Sequence, residues 1–217
     1  MDWTRTIDAY CERTGPEFWA EPVNAVTNLA FLLAAVLVWR QSGAALGGRV
    51  LAILLGFIGM GSFLFHTFAT PWAGLLDVVP ILGFVLVYLY LANRDYLGWP
   101  LWLAALGTLA FVPYTFALVP LFRTLPVLGV SAVYWPLPVL IFAYAIWLRR
   151  RLPQVSRGLV IGGGILVLSL LARSFDEVWC DALPLGTHFL WHVLNGVMLG
   201  WMSLVWLQHR ARIGREG

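Results

Sequence analysis

Long apolar runs separated by short polar segments dominate the chain. A helix that crosses the hydrocarbon core of a bilayer needs about 20 mainly apolar residues, and seven runs meet this requirement. The predicted spans are residues 22–40, 50–69, 72–92, 99–119, 125–148, 158–174 and 186–207. The strict alternation that is typical of membrane β-barrels is missing from the sequence. The pattern therefore predicts an all-α integral membrane protein built as one seven-transmembrane helix bundle.

The segments between the predicted spans are short, so the pattern predicts a single domain over residues 1–217. Residues 1–21 form an acidic segment ahead of the first span. They lack the basic start and apolar core of a signal peptide, and we expect an ordered extramembrane segment. Residues 208–217 are rich in arginine and are expected to form a basic cytoplasmic tail.

Composition and charge support this prediction. The chain is 60% hydrophobic and only 12% charged, whereas soluble domains are about 25% charged. All 14 basic residues are arginines, and with the N-terminus outside, ten of them face the cytoplasm, as the positive-inside rule requires. The four outer arginines are Arg5, Arg13, Arg123 and Arg173. The net charge of +3 thus follows membrane orientation and does not indicate a nucleic-acid partner.

Ionisable side chains inside the spans are functional candidates, since a charged group at the bilayer centre costs roughly 2.5–3.5 kcal/mol. His66 and Asp77 lie near the outer ends of the second and third spans, and His188 and His192 lie in the first two turns of the seventh. At 1.5 Å per residue, all four lie within about 10 Å of the outer boundary of the hydrocarbon core. We therefore expect an active site near the outer side of the membrane.

The spacing of these residues favours a metal site. His188 and His192 are four residues apart, so they face the same side of a helix with Cβ atoms about 5–6 Å apart. His66 adds a third imidazole, and three histidines with one open position are typical of catalytic zinc. Zinc lowers the pKa of water from about 15.7 to about 7. Asp77 is placed to accept a proton from that water, and Ser62, one turn before His66, is placed to stabilise an oxyanion.

Other interpretations exist for each of these residues alone. The histidines could pack helices together or bind haem, and Ser62 is a common small residue in helix packing. Asp77 could relay protons in a transporter. Their occurrence at one depth favours hydrolytic metal chemistry, with a non-enzymatic receptor or transporter as the alternative.

The two cysteines lie on the same predicted side of the membrane. Cys11 is in the N-terminal segment and Cys180 is in the loop before the seventh span. An outer, oxidising location favours a disulfide, and two separate buried thiols remain the alternative.

Several short motifs resemble those of the CREST superfamily of seven-span membrane hydrolases. They include Ser62 and His66 in "SFLFH", Asp77, and the pair His188 and His192 in "HFLWH". Within that superfamily the chain is most similar to the alkaline ceramidases. The segments "YCER", "AEPVNAVTNLAF" and "FDEVWCDALPLGTHFLWH" carry this second resemblance, and the motifs together cover essentially the whole bundle.

The resemblance implies hydrolysis of the amide of a ceramide-like membrane lipid to a sphingoid base and a fatty acid. The implied site residues are His66, His188 and His192 as zinc ligands, with Ser62 and Asp77 in the catalytic centre. It also implies a disulfide between Cys11 and Cys180. A zinc-dependent lipid acyl-ester hydrolase with the same centre is the alternative within the superfamily.

A calcium ion beside helix one is also implied by the resemblance. Glu12 and Glu21 fall on matching positions, whereas strict register puts Ala9 where the family has an aspartate, and Asp8 is one position early. Calcium prefers hard oxygen ligands, so the alternative is a solvated acidic cap. These departures and the compact length are more typical of a bacterial than of an animal member.

Overall fold

The structure is a computed structural model that describes residues 2–216. Within that range the chain forms nine α-helices, two short 3-10 helices and no strand. The α-helices are α1 (Pro22–Thr27), α2 (Leu29–Ser42), α3 (Leu46–Phe68), α4 (Pro71–Asp95), α5 (Leu101–Leu109), α6 (Phe111–Arg123), α7 (Pro136–Leu148), α8 (Pro153–Phe175) and α9 (His188–Glu216). Met1 and Gly217, the ends of the predicted domain 1–217 and tail 208–217, lie outside the described residues, as do the side chains of residues 215 and 216.

Six helical segments among the described residues are long and apolar enough to cross a membrane. They are Pro22–Ser42, Leu46–Phe68, Pro71–Asp95, Leu101–Arg123, Pro153–Phe175 and His188–Gly214. A seventh apolar helix, Pro136–Leu148, is shorter. The prediction of an all-helical, multi-pass membrane protein is confirmed at this level.

Two of the long segments contain a local break. Between α1 and α2, the side-chain amide of Asn28 donates to the carbonyl of Asn24 at 2.9 Å, and such side-chain bonds compete with regular helical bonding. Between α5 and α6, Pro113 has no N–H to offer, and its ring would collide with the carbonyl of Leu109 in a continuous helix. Each pair of helices therefore follows a single predicted span but is not one regular helix.

The fifth predicted span, residues 125–148, differs most from the structure. Regular helix begins only at Pro136, after a 3-10 turn at Leu128–Ser131. Pro136 and Pro138 lie in the first turn of α7, where backbone N–H groups have no partner within the helix and proline therefore costs least. Val127 also has a positive φ of 62°, which is incompatible with a right-handed helix. The apolar run was recognisable, but its helical part is shorter than predicted.

Helix α3 lies at the centre of the part that carries the site. It packs against α2, α4 and α9, while α8 packs between α7 and α9. Leu51, Leu55 and Ile58 on α3 are fully buried. Large apolar side chains such as Leu33 and Phe116 are exposed on the outside of the bundle, and an apolar surface of this extent is suited to contact with lipid.

Candidate functional site

Three histidine rings converge at one end of the bundle. His66 comes from the last turn of α3, and His188 and His192 come from the first two turns of α9. Each is only 1% exposed. One potential ligand atom from each side chain lies within 4.8 Å of the others, and no other such group of His, Cys, Asp or Glu residues occurs in the described part of the chain. The residues that the sequence predicts as zinc ligands therefore lie together.

The hydrogen bonds of these rings decide which nitrogens remain for a metal. His66 Nδ1 bonds to the Glu21 carboxylate at 2.5 Å, and His192 Nδ1 bonds to the Thr27 hydroxyl at 3.0 Å. Across the described residues, His66 Nε2, His188 Nδ1 and His192 Nε2 are buried with no hydrogen-bond partner. Buried polar atoms normally have a partner, and three imidazole nitrogens are a common donor set for zinc. The residues present therefore fit a zinc ion.

Ser62 and Asp77 are brought together by a close contact between α3 and α4. A Cβ atom added to Gly61 would overlap the carbonyl oxygen of Leu76 and lie 3.1 Å from the backbone nitrogen of Asp77. The two helix backbones therefore touch at this point, which only glycine permits. Ser62 and Asp77 follow these contact residues directly in sequence, and both line the same cavity.

This cavity is lined almost entirely by apolar side chains. It extends from Ser62 and Asp77 to Tyr88 and Ala92 on α4, and other parts of its wall come from α2, α3, α7, α8 and α9. The distance from Asp77 to Ala92 along α4 is about 22 Å at 1.5 Å per residue. Since a bilayer's hydrocarbon core is about 30 Å thick, the cavity is long enough to hold an alkyl chain along the helices.

The N-terminal segment covers the histidines. Cys11 and Cys180 form a disulfide with a Cα–Cα distance of 5.2 Å, joining the cysteines that the resemblance pairs. Tyr10 stacks on the ring of His188 with centroids 3.7 Å apart. Burial raises the pKa of the Tyr10 phenol above its ordinary value, so the ring that covers His188 is uncharged at neutral pH.

Asp176 connects this covering segment to α9. Its carboxylate accepts bonds from the backbone N–H groups of Thr187 and His188, at 2.6 and 2.8 Å, and from that of Cys11 at 3.1 Å. An acidic group at a helix N-terminus satisfies N–H groups that have no partner within the helix. Asp176 thus has a positioning role in the structure, at the start of the helix that carries two histidines.

The acidic residues that the resemblance assigns to calcium do not form a common site. Glu12 accepts bonds from the backbone N–H groups of Val23 and Asn24, at 2.6 and 2.8 Å. Glu21 binds the Arg13 guanidinium and His66, and Asp8 is exposed. Calcium requires about 6–8 oxygen ligands. These carboxylates therefore do not fit a calcium ion, because protein donors already bind two of them.

The environment of Glu21 also favours its charged form. Burial raises the pKa of its carboxyl, but the hydrogen bonds from His66 and Arg13 and the positive charge of the Arg13 guanidinium outweigh this effect and leave the pKa below its ordinary value. Glu21 therefore remains a carboxylate at neutral pH.

Tyr10, Thr27 and the Arg13 contact with Glu21 were not anticipated from the sequence. Asn24, Thr27 and Asn28 recur at helical spacing in an otherwise apolar span, and this was a usable signal for a polar contact inside the bundle. Tyr10 and Arg13 gave no comparable signal, because both lie in an irregular segment whose path is set by the disulfide and by Asp176.

The family model described as Ceramidase matches residues 4–215, nearly the whole chain. A search of curated proteins finds no match.

Gly61→Ala should destabilise the protein, because the new methyl group would overlap the backbone of α4. We expect a loss of about 1–3 kcal/mol, as for other overpacked interiors, measured as a lower melting temperature in detergent. Gly56→Ala on the same helix is the control, since a Cβ there meets nothing within 4 Å. Equal melting temperatures for the two variants would contradict the close helix contact.

Loss of the disulfide should free the segment that covers the histidines. Cys11→Ser and Cys180→Ser should each destabilise the protein by about 2–5 kcal/mol, and the double variant should lose no more than either single variant. The measurement is thermal unfolding in detergent without reductant. Additive losses in the double variant would show that the cysteines contribute separately and not as a pair.

Proposed function

Since the chain belongs to the Ceramidase family, we propose that it is an intramembrane zinc-dependent amidase. Its substrate is a ceramide-like lipid, and its products are a sphingoid-type base and a free fatty acid. Family membership supports amide hydrolysis in general, and the remaining details rest on the site.

One observation carries the proposal: three buried histidines lie at the end of the bundle where Ser62 and Asp77 line a long apolar cavity. This arrangement combines donors for a metal, a carboxylate, a hydroxyl and space for an alkyl chain. A structural zinc site would be closed by a fourth protein ligand. The described residues provide three, which supports a catalytic role.

His66, His188 and His192 would hold the metal. A bound zinc ion supplies Lewis acidity and makes water a nucleophile near neutral pH. Glu21 and Thr27 orient two of the rings through their Nδ1 atoms, as partners of metal-binding histidines commonly do. The ring of His188 is held by the packing of Tyr10.

Asp77 transfers the proton, and Ser62 stabilises the oxyanion. Asp77 takes a proton from the attacking water while a bond forms between the water oxygen and the acyl carbon. The Ser62 hydroxyl donates a hydrogen bond to the oxygen of the tetrahedral intermediate. Asp77 then returns the proton to the amide nitrogen as the C–N bond breaks, which releases the amine and the fatty acid.

The cavity binds the apolar part of the lipid and excludes water from it. A chain lying against Phe84, Tyr88 and Met198 would be in contact with apolar surface along its length. The lipid enters sideways from the bilayer, since both of its chains are insoluble in water. The same cavity would suit the acyl chain of an ester lipid, so an acyl-ester hydrolase is the alternative that experiment must separate.

We further propose seven crossings, with the N-terminus outside and the C-terminus in the cytoplasm. The short helix α7 and the turn before it would complete the fifth crossing. Ten of the 14 arginines then lie on the cytoplasmic side, in agreement with the positive-inside rule. In this orientation the histidines lie near the outer, periplasmic or lumenal, side.

His192→Ala should lose both zinc and activity, because it removes a ligand. Asp77→Asn should keep zinc but lose about 10²- to 10⁴-fold in kcat, the usual contribution of a general acid–base group. The measurements are zinc content of the purified protein and release of fatty acid. His209→Ala, at the far end of α9, is the control and should change neither. Full activity in either site variant would refute the assigned roles.

Incubation with matched lipids should separate the candidate functions. We expect release of fatty acid from a long-chain N-acyl sphingoid lipid, little from an ester of equal chain length, and none after treatment with a zinc chelator. Products are identified by mass spectrometry. Faster cleavage of the ester would favour the acyl-ester hydrolase. A protein that binds one zinc per chain but leaves both lipids intact would favour a receptor or transporter.

A further inference from the structure

A buried arginine of the N-terminal segment contacts the end of α3, next to the histidines. Arg13 is only 5% exposed. Its Nε donates to Glu21 at 2.5 Å, its Nη1 to the carbonyl of Gly15 at 3.0 Å, and its Nη2 to the carbonyl of His66 at 3.1 Å. The guanidinium thus binds its own segment, the residue that precedes α1, and the end of α3.

These three contacts use the flat, forked shape of the guanidinium. An arginine offers five N–H donors in a rigid arrangement that suits carboxylate and carbonyl oxygens. A buried carboxylate without a partner is costly, whereas a carboxylate paired with a well-bonded cation is tolerated. Arg13 therefore neutralises Glu21 at the place where the carboxylate reaches the ring of His66.

Glu21 passes this restraint on to a proposed zinc ligand. One carboxylate oxygen receives the bond from Arg13 and the other bonds to His66 Nδ1. Asn24 donates a further bond to the second oxygen at 3.2 Å. With Nδ1 occupied, His66 Nε2 is the ring nitrogen left without a hydrogen-bond partner and therefore the one available to a metal, as in carboxylate–histidine–zinc arrangements.

Glu21 is also one of the three residues that the family resemblance assigns to calcium. Glu12 is used by the backbone at the start of α1, Asp8 is exposed, and Glu21 faces a guanidinium. A calcium ion next to Glu21 would have to displace Arg13 or lie beside its positive charge. Both are unfavourable in a buried location, because the repulsion between cations is weakly screened there.

We propose that Arg13 replaces calcium in this chain. It supplies the positive charge that Glu21 requires and joins the N-terminal segment to the end of α3 without a metal ion. Arg13 and Glu21 are then positioning residues for His66. This second part rests on the proposed zinc-dependent function, whereas the independence from calcium does not.

The first test is a calcium titration of the wild-type protein in detergent. We expect the melting temperature and the zinc content to be unchanged by calcium chloride up to tens of millimolar, and by a chelator selective for calcium over zinc. If the protein had a calcium site, a calcium concentration about 100-fold above the Kd would instead raise its melting temperature by several degrees. A saturable rise of that kind would overturn the proposal. Zinc binding and activity are not needed for this measurement.

The second test concerns positioning. Arg13→Gln should weaken zinc binding by about 10- to 100-fold, the usual effect of losing support for a metal ligand, measured by competition with a chromogenic chelator. Arg13→Lys keeps the charge but loses the fork, so its zinc affinity should lie between those of the glutamine variant and the wild type. Arg5→Gln is the matched control, because Arg5 is an exposed arginine of the same segment.

Each outcome is informative. Unchanged zinc affinity in Arg13→Gln would refute the positioning role, as would an equal loss in Arg5→Gln. If Arg13→Gln does not fold, the calcium titration of the wild type still decides whether an ion is needed. A wild-type protein that binds no zinc would refute the proposed function and leave the result of the calcium titration intact.

Discussion

Three imidazole rings lie where water does not reach them, and their polar atoms must therefore find partners within the protein. Two ring nitrogens are satisfied by Glu21 and Thr27, both at or near the start of the first helical segment. Three ring nitrogens have no partner among the described residues, and one potential ligand atom from each ring lies within 4.8 Å of the others. The position of α1 relative to α3 and α9 thus controls the geometry of the whole histidine cluster.

The N-terminal segment that covers the histidines holds α1 in that position. Its residues have little regular structure of their own and are fixed by covalent and polar links, namely the Cys11–Cys180 disulfide, the Asp176 carboxylate and the Arg13 guanidinium. Such links suit a short segment, since it cannot bury enough apolar surface to be stable alone. The end of the bundle that carries the histidines is consequently held by specific bonds, and the remainder by helix packing.

Away from the histidines, the side chains inside the bundle change from polar to apolar. Gly61 allows α3 and α4 to touch, and the cavity that begins at Ser62 and Asp77 continues between apolar side chains. A lipid bound there would leave its reactive group at the polar end and its chain in the apolar part. The same bundle presents apolar residues to its surroundings, so a lipid does not need to cross an aqueous phase to reach the cavity.

Periodicity and composition by themselves determined the helical class, the approximate positions of the long apolar segments and the candidates His66, Asp77, His188 and His192. Helical spacing makes such residues visible, because it depends only on neighbours along the chain. The late start of α7, the stacking of Tyr10 and the choice of Arg13 as partner for Glu21 were decided by the tertiary structure. These features depend on contacts between segments far apart in sequence, and no local pattern contains that information. Glu21 shows the difference: the family resemblance implied a calcium ligand at this residue, and only its folded neighbours show that its carboxylate binds the Arg13 guanidinium.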